Sequence, residues 1–105
     1  MSMIKVDNTS YEKEILGDSS FKLLMVGAQW CGHCKAMKPL VEEYSKANPD
    51  IKLCYADADE AENITEKFEI SSIPCFIAFK DKKEQERHIG GMSMDEFSRM
   101  IKKYF

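Results

Sequence analysis

The sequence predicts a single α/β domain with a mixed central β-sheet flanked by helices. Through the first half of the chain, short apolar runs typical of strands alternate with segments of helical periodicity, which favours right-handed parallel crossovers. Near the C-terminus, two strand-like segments separated by a short polar turn predict a closing antiparallel hairpin. The predicted order is β-α-β-α-β-α-β-β-α, and 105 residues suffice for one compact domain over residues 1–105.

The N-terminal third carries two predicted strands and one helix. Apolar residues alternate over residues 3–6, as in a short opening strand. Thr9 and Glu12 have the spacing of a capping box, so we expect Thr9 to cap a short helix that runs to about Gly17. Residues 21–27 are almost continuously apolar, which predicts a central strand covered on both faces.

The next predicted helix ends near Asn48 and Pro49. Its apolar residues recur at i, i+3, i+4 and i+7, and they predict one buried stripe formed by Met37, Leu40, Val41 and Tyr44. Pro39 lies inside this stripe and cannot donate a backbone hydrogen bond, so we expect a kink in the first turns. The alternative is a new helix that begins at Pro39.

The following segment predicts a strand and a third helix. Residues 51–56 form the strand. Asp59 is expected to cap the helix, because a side-chain oxygen at that position can accept a free backbone N–H. The inward-facing residues of this helix are predicted to be Ala61, Ile64 and Phe68.

The C-terminal third predicts a hairpin and a last helix. Residues 75–80 form a strand, residues 81–83 turn the chain, and residues 84–89 return as a polar edge strand. Ser93 and Glu96 form a second capping box. The last helix has a predicted buried stripe of Phe97, Met100, Ile101 and Tyr104.

Composition and charge exclude several classes of function. Fifteen basic and eighteen acidic residues leave a net charge of −3, and the basic residues are scattered, so nothing predicts nucleic-acid binding. The apolar runs are too short for a membrane span and no signal-peptide pattern opens the sequence, so we expect no membrane association and a cytoplasmic location. The cytosol keeps ordinary thiols reduced, so four cysteines do not predict a structural disulfide framework.

The chemistry of the chain is concentrated at residues 30–35, which read WCGHCK. They follow the apolar strand and precede the helical stripe, so we expect Cys31 at a helix start, where free N–H groups and the macrodipole stabilise a thiolate. A protonated His33 would add a second positive charge. Cys34 follows about one turn later, within reach of a disulfide but less accessible. The spacing predicts Cys31 as the nucleophile and Cys34 as the resolving thiol.

Three separately placed features give a resemblance to a known family. They are the WCGHCK motif, the Ile73-Pro74 pair before the fourth strand, and Gly91 before the last helix. Because these three features occur in this order and spacing, the chain resembles the thioredoxin family over essentially its whole length. The resemblance implies a thioredoxin fold. The resemblance implies a cis peptide between Ile73 and Pro74; the alternative is an ordinary trans proline at the strand entrance. The implied substrate-binding surface comprises Trp30, Gly32, Ile73, Pro74 and Gly91.

The resemblance implies a redox cycle that needs no cofactor. The Cys31 thiolate attacks a disulfide of a protein substrate, and Cys34 then attacks the Cys31 sulfur and releases the reduced substrate. An electron donor of the thioredoxin reductase type would restore the dithiol. The partners are therefore expected to be disulfide-containing proteins and a reductase, and a small domain with polar helix faces is most simply a monomer.

The direction of this cycle is set by two opposing features. The dipeptide Gly32-His33 resembles protein disulfide isomerase domains, and a histidine beside the nucleophile stabilises the reduced form, which favours disulfide donation or isomerisation. The absence of an export signal favours a cytosolic protein that is recharged by a reductase and works as a reductant. We expect the cytosolic location to decide the direction, so that the protein works as a reductant. A disulfide-donating or isomerising domain is the alternative.

Four residues depart from the family pattern. Met25 stands where thioredoxins carry a buried Asp and isomerase domains a buried Glu, and Tyr55 stands where a lysine often partners that carboxylate. Losing both together leaves no unpaired buried charge, but it removes the expected proton acceptor for Cys34 and predicts slower resolution. Gly27 and Gln29 are also unusual, and we expect them to alter partner choice more than chemistry.

Other interpretations of the cysteines stay open. Cys31, Cys34 and either His33 or His88 could bind a metal, but structural zinc needs four ligands and no second pair is present, so no metal is predicted. The fold could serve as a non-enzymatic interaction module. Glutathione exchange of the glutaredoxin type normally uses a Pro-Tyr dipeptide, which is absent. Cys54 and Cys75 lie in apolar segments and predict core side chains, with a regulatory thiol as the alternative for Cys75.

Overall fold

The computed structural model describes residues 3–105 and contains a five-stranded sheet flanked by four helices. The first two residues of the predicted domain lie outside the described residues. The predicted order of elements is confirmed. The elements are β1 (Ile4–Lys5), α1 (Tyr11–Leu16), β2 (Lys22–Gly27), α2 (Gly32–Ala47), β3 (Lys52–Asp57), α3 (Glu62–Lys67), β4 (Cys75–Lys80), β5 (Lys83–Ile89) and α4 (Met94–Tyr104).

The sheet has the strand order β1-β3-β2-β4-β5 and is mixed, as predicted. Both β1 and β2 pair with β3 in parallel, whereas β4 runs antiparallel to β2 and β5. The central strand is β2, and all six of its residues are buried, which confirms the interpretation of its continuous apolar run. In register, Met25 faces Tyr55 on β3 and Phe76 on β4. The motif at residues 30–35 follows the carboxyl end of β2 in the chain.

The helices cover the sheet in two pairs. On one face, α2 and α4 pack with Leu23 and Met25 of β2; on the other, α1 and α3 pack with Leu24 and Val26. Alternate residues of a strand point to opposite faces, so the same apolar run serves both cores. The face of α2 and α4 holds both motif cysteines. No helix within residues 3–105 is long and apolar enough to cross a membrane.

The predicted stripe on α2 is correct except at Leu40. Met37 and Val41 are buried and Tyr44 packs against the same core, but Leu40 is 43% exposed. The buried face of α2 runs through Cys34, Met37, Val41 and Ser45, and Leu40 falls beside that line. Pro39 lies inside one continuous helix, so the alternative of a new helix at Pro39 is wrong.

The predicted cap of α1 is wrong. The N-cap is Ser10 rather than Thr9, and its side chain makes no capping bond to the helix. Instead the Asp7 carboxylate accepts the backbone N–H groups of Thr9 and Ser10 at 2.9 and 3.0 Å, and the Asp7 N–H donates to Ser10 Oγ. An aspartate that accepts backbone N–H groups two and three residues ahead forms a local turn of its own. That turn starts the helix one residue later.

The predicted cap of α3 is also wrong. The helix begins at Glu62 after Ala61, and Asp59 lies outside it. The Asp59 N–H donates to Asp57 Oδ1 at 2.8 Å, while Asp59 Oδ2 accepts from Trp30 Nε1 at 2.8 Å. The Asp59 carboxylate, which the local spacing predicted as a helix cap, therefore binds Trp30, a residue far away in the sequence.

The last elements follow the predictions closely. The capping box of α4 is present: the Glu96 N–H donates to Ser93 Oγ and the Ser93 N–H donates to the Glu96 carboxylate. The stripe on α4 is buried at Phe97, Met100 and Ile101 and half-buried at Tyr104. At the hairpin, β5 begins at Lys83, one residue earlier than predicted.

Candidate active site

Cys31 lies at the junction between the strand β2 and the helix α2, where it is the N-cap residue. Its backbone is extended, with φ −88° and ψ 117°, and its Sγ accepts the backbone N–H of Cys34 at 3.3 Å. The sulfur thus takes one of the N–H groups that a helix start leaves without a partner. The side chain is 8% exposed. A negative charge on this sulfur is stabilised by the N–H contact and by the macrodipole of α2.

Cys34 lies in the first turn of α2, behind Cys31 and 2% exposed. Burial, and next the neighbouring Cys31, raise the pKa of the Cys34 thiol to about 11. At neutral pH this thiol therefore stays protonated. The two cysteines of the motif differ in environment: the Cys31 sulfur lies at the helix terminus, and Cys34 is more deeply buried in the first turn.

His33 and Gly91 are brought together by the fold. The His33 imidazole is exposed and packs over Gly91, so a Cβ built at Gly91 would lie 3.5 Å from His33 Nδ1. His88 Nε2 donates to the Gly91 carbonyl oxygen at 3.1 Å and holds this loop from the other side. Gly32, between the cysteines, has open space around its Cα. The imidazole therefore lies between the motif and the start of α4.

The Ile73-Pro74 peptide is cis, as expected. Pro74 is buried, and Ile73 is half-buried and packs against both cores. The Pro74 carbonyl oxygen accepts the Gly90 N–H at 2.8 Å, which ties this segment to the loop that contains Gly91. Cys75 follows Pro74 and pairs with Val26 near the end of β2 that leads to the motif.

Trp30 is fixed on the surface by a hydrogen bond to Asp59. Its ring is 68% exposed, and the bond to Asp59 holds it at the rim of an open groove of about 990 Å³. Ile73, Pro74 and Gly91 do not line this groove. Its walls are formed by Ala28, Gln29, Trp30, Cys34, Lys35, Lys38, Pro39, Glu42, Tyr55, Asp57, Asp59 and Glu60. The sequence did not predict this groove.

Gly27 lies against the sulfur of Cys34. A Cβ at this position would approach Cys34 Sγ to 3.0 Å, Cys34 Cβ to 3.1 Å and the Tyr55 hydroxyl oxygen to 3.2 Å. The absence of a side chain lets α2 approach the end of β2 and leaves room for the Tyr55 hydroxyl. The sequence signalled that Gly27 was unusual, but it gave no sign that the residue touches Cys34.

The Tyr55 hydroxyl lies near Cys34, and Met25 belongs to the same core cluster as both motif cysteines. Met25 is fully buried, and Tyr55 faces it across the β2–β3 pair. Burial, followed by the nearby Asp57 carboxylate, raises the pKa of Tyr55 to about 12. The Lys38 ammonium lies 4.2 Å from the centroid of the Tyr55 ring, at cation–π distance.

The remaining cysteines lie in the core on the other face of the sheet. Cys54 and Cys75 are both fully buried, which confirms the core interpretation of Cys75. Burial raises the pKa of Cys54 to about 11 and also raises that of Cys75. Within residues 3–105 no group of three or more His, Cys, Asp or Glu side chains is placed to hold a metal ion.

Comparisons with known proteins agree on one family. The thioredoxin family model matches residues 2–103. The chain is 35% identical to a thioredoxin of Chlamydia trachomatis over 86 residues, covering 82% of this chain and 84% of that protein. It is 32% identical to a thioredoxin of Staphylococcus haemolyticus over 108 aligned positions, covering 99% of each.

A solved structure has the same fold. It superposes with a TM-score of 0.85 at 27% identity and covers 97% of this chain and 95% of that one. Its title describes the thiol resolving mechanism of a yeast mitochondrial 1-Cys peroxiredoxin via glutathione/thioredoxin systems. The mixed sheet with four helices is therefore the thioredoxin fold.

Alkylation of the native reduced protein tests the contrast between the four thiols. At pH 7 we expect modification at Cys31 before the other three, since burial raises the pKa of Cys34 and Cys54 to about 11 and also raises that of Cys75, which leaves little thiolate at those sites. The rate at Cys34 should rise tenfold per pH unit until the pH approaches 11. Peptide mapping after timed exposure to iodoacetamide measures each site. Equal rates at Cys31 and Cys34 at pH 7 would contradict this assignment.

Replacing Gly27 tests its packing against Cys34. Gly27→Ala places a Cβ where the Cys34 sulfur and the Tyr55 hydroxyl both lie within 3.2 Å, so we expect the free energy of unfolding to fall by about 1–3 kcal/mol. Gly32→Ala is the matched control, since nothing lies within 4 Å of its Cβ. Urea unfolding of the two reduced variants measures the difference. Equal stabilities would show that the space beside Gly27 is not tightly packed.

Proposed function

Because the chain belongs to the thioredoxin family of disulfide oxidoreductases, we propose that it reduces disulfides of protein substrates by cycling Cys31 and Cys34 between dithiol and disulfide. One observation carries the assignment of roles. The Cys31 sulfur accepts the Cys34 N–H at the start of α2, whereas the Cys34 sulfur is enclosed behind it. The first arrangement stabilises a thiolate and suits the attacking group, and the second suits a thiol that acts only after the substrate is bound.

In the first step the Cys31 thiolate attacks one sulfur of a substrate disulfide. A bond forms between Cys31 and that sulfur, the substrate S–S bond breaks, and the second substrate sulfur leaves as a thiolate that takes a proton from water. The N–H of Cys34 and the macrodipole favour the anion that attacks. A protonated His33 would add a positive charge beside it, which is its proposed catalytic contribution.

In the second step Cys34 loses its proton and attacks the Cys31 sulfur. The Cys31–Cys34 bond forms, the mixed disulfide breaks, and the second substrate thiol is released. Two electrons have then passed from the dithiol to the substrate. Because burial raises the pKa of Cys34 to about 11, only a small fraction of this thiol is deprotonated at neutral pH.

The proposed docking surface lies beside Cys31. Ile73 and Pro74 are tied to the Gly90-Gly91 loop by the Pro74–Gly90 bond, and His33 packs on Gly91. An extended substrate peptide could lie along the backbone of Ile73, with Gly32 and Gly91 leaving room for its approach. Trp30, at the rim of the neighbouring groove, would contact a larger substrate.

The proposed electron source is a reductase of the thioredoxin reductase type, in the cytoplasm. It would return two electrons to the Cys31–Cys34 disulfide after each cycle. The Gly32-His33 dipeptide favours a second candidate function, donation or isomerisation of disulfides, because a histidine at this place stabilises the reduced form of the pair. That function uses the same two cysteines and runs the exchange in reverse.

Turnover with a disulfide-bonded protein substrate tests the proposal. With insulin as substrate and dithiothreitol as electron source, we expect Cys31→Ser to abolish catalysed reduction. Reduced Cys34→Ser, mixed with insulin in the absence of dithiothreitol, should stop after one attack and accumulate a mixed disulfide at Cys31, visible by mass spectrometry. Cys54→Ala, which removes a buried thiol from the other face, is the control and should keep turning over. A wild-type protein that reduces insulin no faster than dithiothreitol alone would instead favour a non-enzymatic interaction module.

A further inference from the structure

The resolving step in this chain has no carboxylate at the position beneath Cys34. The side chain there is Met25, fully buried and without a titratable group. Burial disfavours the thiolate of Cys34, so a polar neighbour that stabilises this anion would favour its deprotonation. The structure provides one at the point where Gly27 lacks a side chain.

The neighbour is the hydroxyl of Tyr55. The Cys34 sulfur and the Tyr55 hydroxyl oxygen both lie within 3.2 Å of the position that a Cβ on Gly27 would occupy, so their separation cannot exceed twice that distance. A span of this size is bridged by a direct hydrogen bond or by one water. The register of β3 against β2 sets the position, since Tyr55 pairs with Met25 two residues before Gly27.

The Tyr55 hydroxyl is free to act on that sulfur. Across the described part of the chain it has no hydrogen-bond partner, although every fully buried side-chain nitrogen and oxygen there is satisfied, so the hydroxyl reaches solvent. It does so in the groove that Cys34 also lines. The ring itself is held by the Lys38 ammonium above it and by the sheet behind it.

We propose that the Tyr55 hydroxyl serves the resolving step by donating a hydrogen bond, directly or through one water, to the Cys34 sulfur as that sulfur becomes a thiolate. This inference rests on the proposed function. The proton of Cys34 passes to water in the groove, the thiolate attacks the Cys31 sulfur, and the substrate sulfur leaves with the electron pair of the broken bond. Tyr55 keeps its own proton throughout.

The charges around Tyr55 suit a donor rather than a base. Burial and the Asp57 carboxylate disfavour the phenolate, so the pKa of Tyr55 is about 12 and the group remains a neutral O–H at pH 7. The charged groups that face it are Lys38 from α2 and Asp57 and Glu60 from the end of β3 and the following loop, and the thiols of Cys31 and Cys34 complete the set. Donation to an anionic sulfur is stronger than donation to a neutral one. The hydroxyl thus favours the charged form of Cys34.

The test separates attack from resolution in one stopped-flow experiment. Reduced protein is mixed with excess dithionitrobenzoate, whose released thiolate is coloured. The first equivalent reports attack by Cys31, and the second reports the attack of Cys34 on the mixed disulfide. In Tyr55→Phe we expect an unchanged first phase and a second phase about tenfold slower at pH 7. The midpoint of its pH profile should move up by about one pH unit, the equivalent of that factor.

Tyr11→Phe is the matched control, because Tyr11 is a buried tyrosine that packs against Phe68 in the other core. It should leave both phases unchanged. A Tyr55→Phe protein whose second phase matches the wild type, or is slowed with no shift in its pH midpoint, would overturn the role of the hydroxyl. Release of only one equivalent by the wild type would contradict the proposed function itself, before Tyr55 is considered.

Discussion

The hydrogen bond from the Cys34 N–H to the Cys31 sulfur is the interaction on which the site depends. It exists because a buried central strand delivers the chain to a helix start, where the first N–H groups have no backbone acceptor. The same geometry places the second cysteine one turn further on, inside the core. One helix terminus therefore produces two chemically different thiols.

The space that Gly27 leaves open couples this dithiol to the sheet beneath it. A residue with a side chain at this position would compete with the Cys34 sulfur and the Tyr55 hydroxyl for the same volume. Gly27, Met25 and Tyr55 are therefore connected by packing: Met25 provides no charge on β2, and the gap beside Gly27 admits the neutral Tyr55 hydroxyl. Met25 avoids the desolvation cost that a buried carboxylate at its own position would carry.

The fold was largely predictable because its elements follow from local periodicity, as the buried stripe of α4 and its capping box at Ser93 illustrate. The errors arose where another contact took the side chain that was expected to cap a helix. The Thr9 hydroxyl donates to Asp7 Oδ1 within a local turn, and the Asp59 carboxylate accepts from Trp30 Nε1. The proximity of Tyr55 to Cys34 depends on the register of two strands and on the approach of α2. The spacing of residues along the chain predicts neither the strand register nor the approach of α2.

The measurement that tests the central claim most directly is an equilibrium redox titration of the Cys31–Cys34 pair against a series of glutathione buffers. Thiol alkylation and mass spectrometry report the fraction reduced at each potential. A dithiol that acts as a reductant should show one reversible two-electron transition at a potential below that of the cytosolic glutathione pool. A transition well above that potential, or no reversible transition at all, would contradict the account.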